Sequence, residues 1–88
     1  MITVYYDNDF KKSLKKRIEP SPALKGAFLS RLEVFRTHPQ DPILRCHKLT
    51  GALKGMEAFS ITGDVRVIYR RQGDNAYFLD IGTHNQVY

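Results

Sequence analysis

Eighty-eight residues, 42% of them hydrophobic and 11% aromatic, suffice for one folded domain, are too few for two, and exclude a disordered chain. The net charge of +5 points toward a polyanionic or acidic partner. One cysteine, no signal-peptide pattern and no apolar run of membrane-spanning length lead us to expect a reduced, cytoplasmic setting with no disulfide and no membrane partner.

Along the chain, "ITVYY" (Ile2 to Tyr6) is short, β-branched and aromatic, and reads as a strand. Asp7 or Asn8 can then cap a helix whose apolar stripe is Phe10, Leu14 and Ile18. Lys11, Lys12, Lys15, Lys16 and Arg17 occupy its other face, which reads as a solvated surface or as a nucleic-acid contact. Pro20 breaks that helix. Ser21 caps the next one, Pro22 takes its first position, and Leu24, Phe28, Leu32 and Phe35 form its apolar face until Pro39 and Pro42 forbid continuation. So short a link predicts an antiparallel helical hairpin.

"ILRCHKLTGALKG" reads as irregular, with Gly51 and Gly55 as breakers. Three strand-like runs follow, "MEAFSI", "VRVIYRR" and "YFLDIG", joined by the turn-like "TGD" and "QGDNA". Alternation puts Phe59 and Ile61 on one face of the first and Tyr77, Leu79 and Ile81 on one face of the last, with Ser60 and Asp80 looking away. The expected fold is a single α+β domain over residues 1–88, of two layers in the order β-α-α-β-β-β, with the hairpin packed on one face of an antiparallel sheet. The other sheet face is left partly open and basic, a surface suited to an RNA backbone.

Between Arg45 and Arg71 lie six basic residues and two acids, so four of the five net charges fall in the middle third. No glycine-rich phosphate loop, GxSxG or HExxH motif is present, and Cys46 reads as a small buried hydrophobe. His38 follows a helix and reads as structural. His47 precedes the three-stranded meander and His84 follows it, so the two can share a cleft if both flanking segments turn the same way. Two histidines with an aspartate and several cations suit RNA cleavage by its own 2'-hydroxyl. One group takes that proton, another protonates the 5' leaving oxygen, and cations hold the charge that develops on phosphorus. That chemistry requires neither a metal nor a cofactor.

"HKLTGALKGMEAFSITGDVRVIYRR" followed by "FLDIGTHNQVY" resembles the RelE/ParE superfamily of bacterial toxins, most closely its YafQ-like mRNA interferase branch. The matching pattern runs from His47 to Tyr88: a histidine before "LTG", a strand, "GDVRVIYR", a strand, and a closing "IGTH" with a terminal aromatic. The resemblance implies mRNA cleavage, typically on the ribosome, held in check by a cognate antitoxin. It implies catalytic roles for His47, Asp64, His84 and Tyr88; we expect His84 as acid and His47 as base, or the reverse, with Asp64 orienting a histidine or contacting RNA and Tyr88 stacking on a base. Arg45, Lys48, Lys54, Ser60 and Arg66 are the expected RNA-binding residues. Ser60 stands where some relatives carry a further histidine, and it cannot shuttle a proton. Asp64 is also an ordinary turn residue, and Arg66 is also placed to pair with Asp80 across the sheet. A gyrase-poisoning toxin of the ParE kind and an inactive binding module remain the alternatives. Gly82 is expected to turn the chain off the last strand; if the segment after it is helical, His84 and Tyr88 share a side.

Overall fold

The computed structural model describes all 88 residues. Strand β1 (Thr3–Tyr6) leads into helix α1 (Asn8–Ser13), which continues through a wider turn over Leu14–Ile18, and then into helix α2 (Pro22–Thr37). A single 3-10 turn (Pro42–Leu44) leads to the two-residue strand β2 (His47–Lys48), and another (Gly51–Leu53) to β3 (Glu57–Ser60). Strands β4 (Val65–Gln72) and β5 (Asn75–Thr83) complete the sheet, and a one-turn helix α3 (His84–Val87) closes the chain. The sheet order is β1-β5-β4-β3-β2, with β1 parallel to β5 and every other pair antiparallel. The α+β order expected from the sequence holds, and two short elements, β2 and α3, join it where irregular chain was expected.

The elements form for legible reasons. The Ser21 hydroxyl accepts from Leu24 N at 3.2 Å with Pro22 in the first turn, so α2 starts where the sequence places it. All five phenylalanines are buried, and they join the two helices to the sheet. Phe35 stacks on Phe59 at 4.7 Å and meets Phe78 edge-on at 5.6 Å, while Phe10 meets Phe78 at 5.3 Å. Such pairs add about 0.5–1.5 kcal/mol each beyond the area they bury. No helix is long and apolar enough to cross a membrane.

Three expectations fail, each for a physical reason. Tyr77, Leu79 and Ile81 do not share a face. A bulge opposite Ile68 and Tyr69 skips Leu79, so Ala76, Phe78 and Ile81 point into the core, and Tyr77 turns outward to stack on Tyr5 at 5.2 Å. Arg17 does not stay with the solvated lysines. Glu19 N bonds to Leu14 O, five residues back, and this π-helical turn sets Arg17 against the edge of β5. Cys46 is exposed, not buried; its thiol nonetheless reaches Pro39 O at 3.7 Å, and partial desolvation pushes its pKa up.

Candidate active site

The cleft that gathers the histidines lies at one end of the open sheet face. It encloses about 500 Å³, and His47 and Lys48 of β2, Arg66 of β4, and His84 and Tyr88 at the chain end supply its polar wall. Leu49, Ala52 and Leu53, from the glycine-bounded loop between β2 and β3, supply its apolar wall. A hollow of about 590 Å³ lies beside β1 and α2, but it offers only Lys11 and Arg36 among aliphatic and tyrosine side chains. Without a histidine or a carboxylate, it has no group to move a proton at neutral pH.

His47 is held by an unusual backbone. Arg45 has φ 51°, the one non-glycine residue in left-handed conformation, a state that costs about 1–2 kcal/mol. Its carbonyl oxygen lies 3.0 Å from His47 Nδ1. A carbonyl only accepts, so Nδ1 carries the proton and donates, and in the neutral ring Nε2 is left with a free lone pair. Pairing of His47 with Ala58 across the sheet edge fixes the same segment.

His84 is held in the opposite sense. Its Nδ1 lies 3.2 Å from Arg66 Nη1, and a guanidinium only donates. The neutral ring of His84 therefore keeps its proton on Nε2. Helix α3 aligns the rest: Tyr88 N donates to His84 O at 3.0 Å, and the two rings meet edge-on at 4.5 Å. The Arg66 Cζ carbon sits 5.7 Å from the centre of the Tyr88 ring. Arg66, His84 and Tyr88 thus form one packed group. No Asp or Glu side chain lines the cleft, and Arg66 Nε is buried without a partner.

Gly82 stays within β5 and does not turn the chain; a side chain there would instead crowd the ends of two flexible neighbours. A Cβ there would lie 2.6 Å from Gln86 Oε1 and 2.9 Å from Arg17 Nη1. Gln86 Oε1 accepts from Thr83 N at 2.8 Å and anchors the first turn of α3 over that glycine.

The other sequence-predicted residues lie outside the cleft. Asp64 is exposed in the β3–β4 turn, where the Thr62 hydroxyl accepts from Asp64 N and Val65 N at 3.4 and 3.1 Å. Ser60 pairs with Arg66 across β3 and β4, but its side chain is not part of the cleft wall. Lys54 lines an adjoining hollow with Lys48, and Arg45 lines another with Cys46 and Tyr69. Arg66 does not pair with Asp80; Arg17 takes that carboxylate at 3.3 Å. Sequence reasoning missed the apolar wall. Its signal was "LTGALKG", where Leu49 and Leu53 stand four residues apart but Gly51 and Gly55 leave no helix long enough to carry them into the core. No three metal-ligating side chains stand together anywhere in the chain.

Comparison with known proteins gives this geometry a family. No curated protein sequence matches the chain. Among solved structures, the metal-bound toxin from Helicobacter pylori matches with a TM-score of 0.79 and 22% identity over 100% of both chains. YafQ from E. coli strain BL21(DE3) matches with a TM-score of 0.76 and 21% identity over 100% of this chain and 99% of that one. The E. coli DinJ–YafQ complex contains a chain that matches with a TM-score of 0.74 and 22% identity, over 100% and 99%. These likenesses establish the fold. The family model for YafQ, the bacterial toxin of a type II toxin–antitoxin system, matches residues 2–88, and the chain belongs to that family.

Proposed function

We propose that this toxin cleaves mRNA, on the ribosome, by transfer of the phosphodiester to the neighbouring 2'-hydroxyl. The observation that carries the reading is the opposite presentation of two histidines in one cleft, His47 with a free Nε2 and His84 with Nε2 protonated. In this mechanism His47 Nε2 takes the 2'-hydroxyl proton as O2' attacks phosphorus. The P–O5' bond breaks as Arg66 turns to the phosphate, and the Nε2 proton of His84, with Nδ1 also protonated from solvent, passes to O5' and leaves a neutral ring. Arg66 and Lys48 hold the charge that builds on the phosphoryl oxygens, and Tyr88 stacks on the base beside the scissile bond. Each proton transfer is worth roughly 10²–10⁴ in rate.

Asp64, Ser60, Lys54 and Arg45 then contact the RNA strand as it leaves the cleft. The E. coli relative crystallises with DinJ, and a cognate antitoxin fits the charge of this chain: an acidic segment folding onto a +5 surface.

Expression of His47→Ala and His84→Ala in a bacterial host tests the reading, with growth and mRNA 5' ends as readouts. Each variant is expected to lose growth arrest and at least about a hundredfold in cleavage. Growth arrest with intact mRNA and a DNA-damage response, indifferent to both substitutions, would overturn it in favour of gyrase inhibition.

A further inference from the structure

The open sheet face continues beyond the cleft, to the far end of β4 where β1 joins the sheet. Arg70, Tyr77 and Tyr5 stand in register there across β4, β5 and β1, and Gln72, Asn75 and Thr3 form the next row. Cross-strand partners share a face, as do residues two apart on one strand. All six therefore point away from the helices, while Tyr69, Ala76 and Phe78 between them enter the core. Tyr77 and Tyr5 stack at 5.2 Å with 16° between their planes. β1 is the last strand of the sheet, so no further strand covers the outer side of Tyr5, which is 47% exposed. Arg70 is exposed, and the two ion pairs of the chain use Arg17 and Arg36 instead. Asp80 is the one acid in these three strands, and Arg17 already holds it.

We propose that the Tyr5–Tyr77 stack is a second RNA-binding site, on which the substrate strand, after passing Arg66, lays a nucleobase against the outer face of Tyr5 while Arg70 holds a phosphate. A ring face in water, an unpaired cation and a row of amide and hydroxyl groups supply the contacts that hold single-stranded RNA. They stack on a base, attract a phosphate and hydrogen-bond to base edges. The site is continuous with the cleft. Arg66 and Arg70 stand on the same face of β4, four residues and about 13 Å apart at the usual strand repeat, so one RNA strand can touch both. It is also preorganised: Tyr77 already fixes the ring of Tyr5, so a base that joins the stack has little side chain to order. An acidic protein segment would find the charge of Arg70, but the flat end of an aromatic stack matches a nucleobase, and every base has that face.

This site rests on the reading of RNA as the substrate of the cleft, and binding tests it without turnover. The probe is a fluorescent oligouridine of about eight nucleotides, within the span of single-strand sites, with every 2'-hydroxyl methylated so that no attacking group remains. It is titrated by anisotropy against the full chain at several salt concentrations. Tyr5→Leu is expected to weaken binding about 5- to 150-fold, the usual worth of one stacked base, at an unchanged salt slope. Tyr5→Phe is expected to restore the affinity, because the ring and not the hydroxyl stacks; Tyr5→Thr replaces the leucine variant if thermal melts show that the latter does not fold. Arg70→Met is expected instead to flatten the log–log salt slope by about 0.7. On an abasic strand of the same length, Tyr5→Leu is expected to bind as the wild type does. Wild-type affinity for the oligouridine in Tyr5→Leu, or an equal loss on the abasic strand, overturns the proposal. So does an equal loss of polyglutamate binding, which would assign the row to an acidic protein segment. RNA cleavage that needs His47 and His84, beside an oligouridine affinity that ignores Tyr5→Leu, removes the second site and leaves the reading of the cleft intact. A Tyr5-dependent affinity in a protein that cleaves no RNA supports the second site and removes the endoribonuclease reading.

Discussion

Two arginines approach Gly82. Arg17, from the π-helical turn, bonds to Asp80 Oδ1 at 3.3 Å and to Ile81 O at 3.0 Å, and its Nη1 occupies the space a Cβ on Gly82 would need. Arg66 pairs with Gly82 across β4 and β5, but its partners are an imidazole nitrogen and an aromatic ring, both uncharged. One cation is neutralised at once; the other keeps its whole charge at the floor of a cleft. The difference separates a cation that fastens a helix to a sheet edge from one available to an incoming anion, a distinction that net charge alone does not make.

Removing the unneutralised cation should have the largest effect. Arg66→Met is expected to lower RNA cleavage by about 10²–10³, or about 2.7–4 kcal/mol at the transition state, the usual worth of one donor to a developing oxyanion. The salt dependence of single-stranded RNA binding should flatten by about 0.7 in log–log slope, one phosphate contact's share. Thermal stability should barely change, since Arg66 has no ion pair to lose and one unpartnered nitrogen to release. Cleavage assays and binding titrations at several salt concentrations check this; an unchanged slope would mean that Arg66 never meets a phosphate.

A smaller effect is expected where the two arginine neighbourhoods meet. In Gly82→Ala the new methyl group displaces Gln86 Oε1 and Arg17 Nη1 and presses on Gln86 Cβ at 3.1 Å. The first turn of α3 loses its anchor at Thr83 N, and Arg17 is pushed from Asp80. The cost should be about 1–3 kcal/mol, as for other overpacked sites. In a domain of this size each kcal/mol is about 4–8 °C in Tm, read by thermal melts. Because α3 carries His84 and Tyr88, cleavage should also fall, measured at a temperature where the variant is fully folded. Wild-type cleavage in a destabilised Gly82→Ala would show that α3 need not be held this closely.

The sequence makes much of this molecule legible and hides specific parts. Phe10, Ile18, Phe28 and Phe35 lie in the core because helical spacing allows them no other consistent face. His47 and His84 meet because a three-stranded meander returns its two flanking segments to the same region. The failures arise where one residue changes the phase. Skipping Leu79 at the bulge reverses the sidedness of Tyr77, and the π-helical turn takes Arg17 from the lysine face; single-sequence alternation carries neither signal. The tautomers of the two histidines depend on a left-handed Arg45 and on the reach of Arg66, which only three-dimensional placement reveals.

The smallest effect should come from the neutralised arginine. Arg17 and Asp80 side chains are 27% and 32% exposed, so their ion pair is weakened by solvent. After Arg17→Met, Asp80 Oδ1 still accepts from Ile81 N at 2.9 Å, so the carboxylate is not stranded. The Ile81 carbonyl is the group that loses a partner, at about 1 kcal/mol, and the methionine chain retains much of the packing of the arginine stem. We expect a fall in Tm of about 4–8 °C, with RNA affinity, salt slope and cleavage unchanged once measured on folded protein. A double-mutant cycle with Asp80→Asn should give a coupling below about 1 kcal/mol. Should Arg17→Met flatten the salt slope as Arg66→Met does, Asp80 does not neutralise it in the presence of RNA, and the two arginines form one anion site with Gly82 between them.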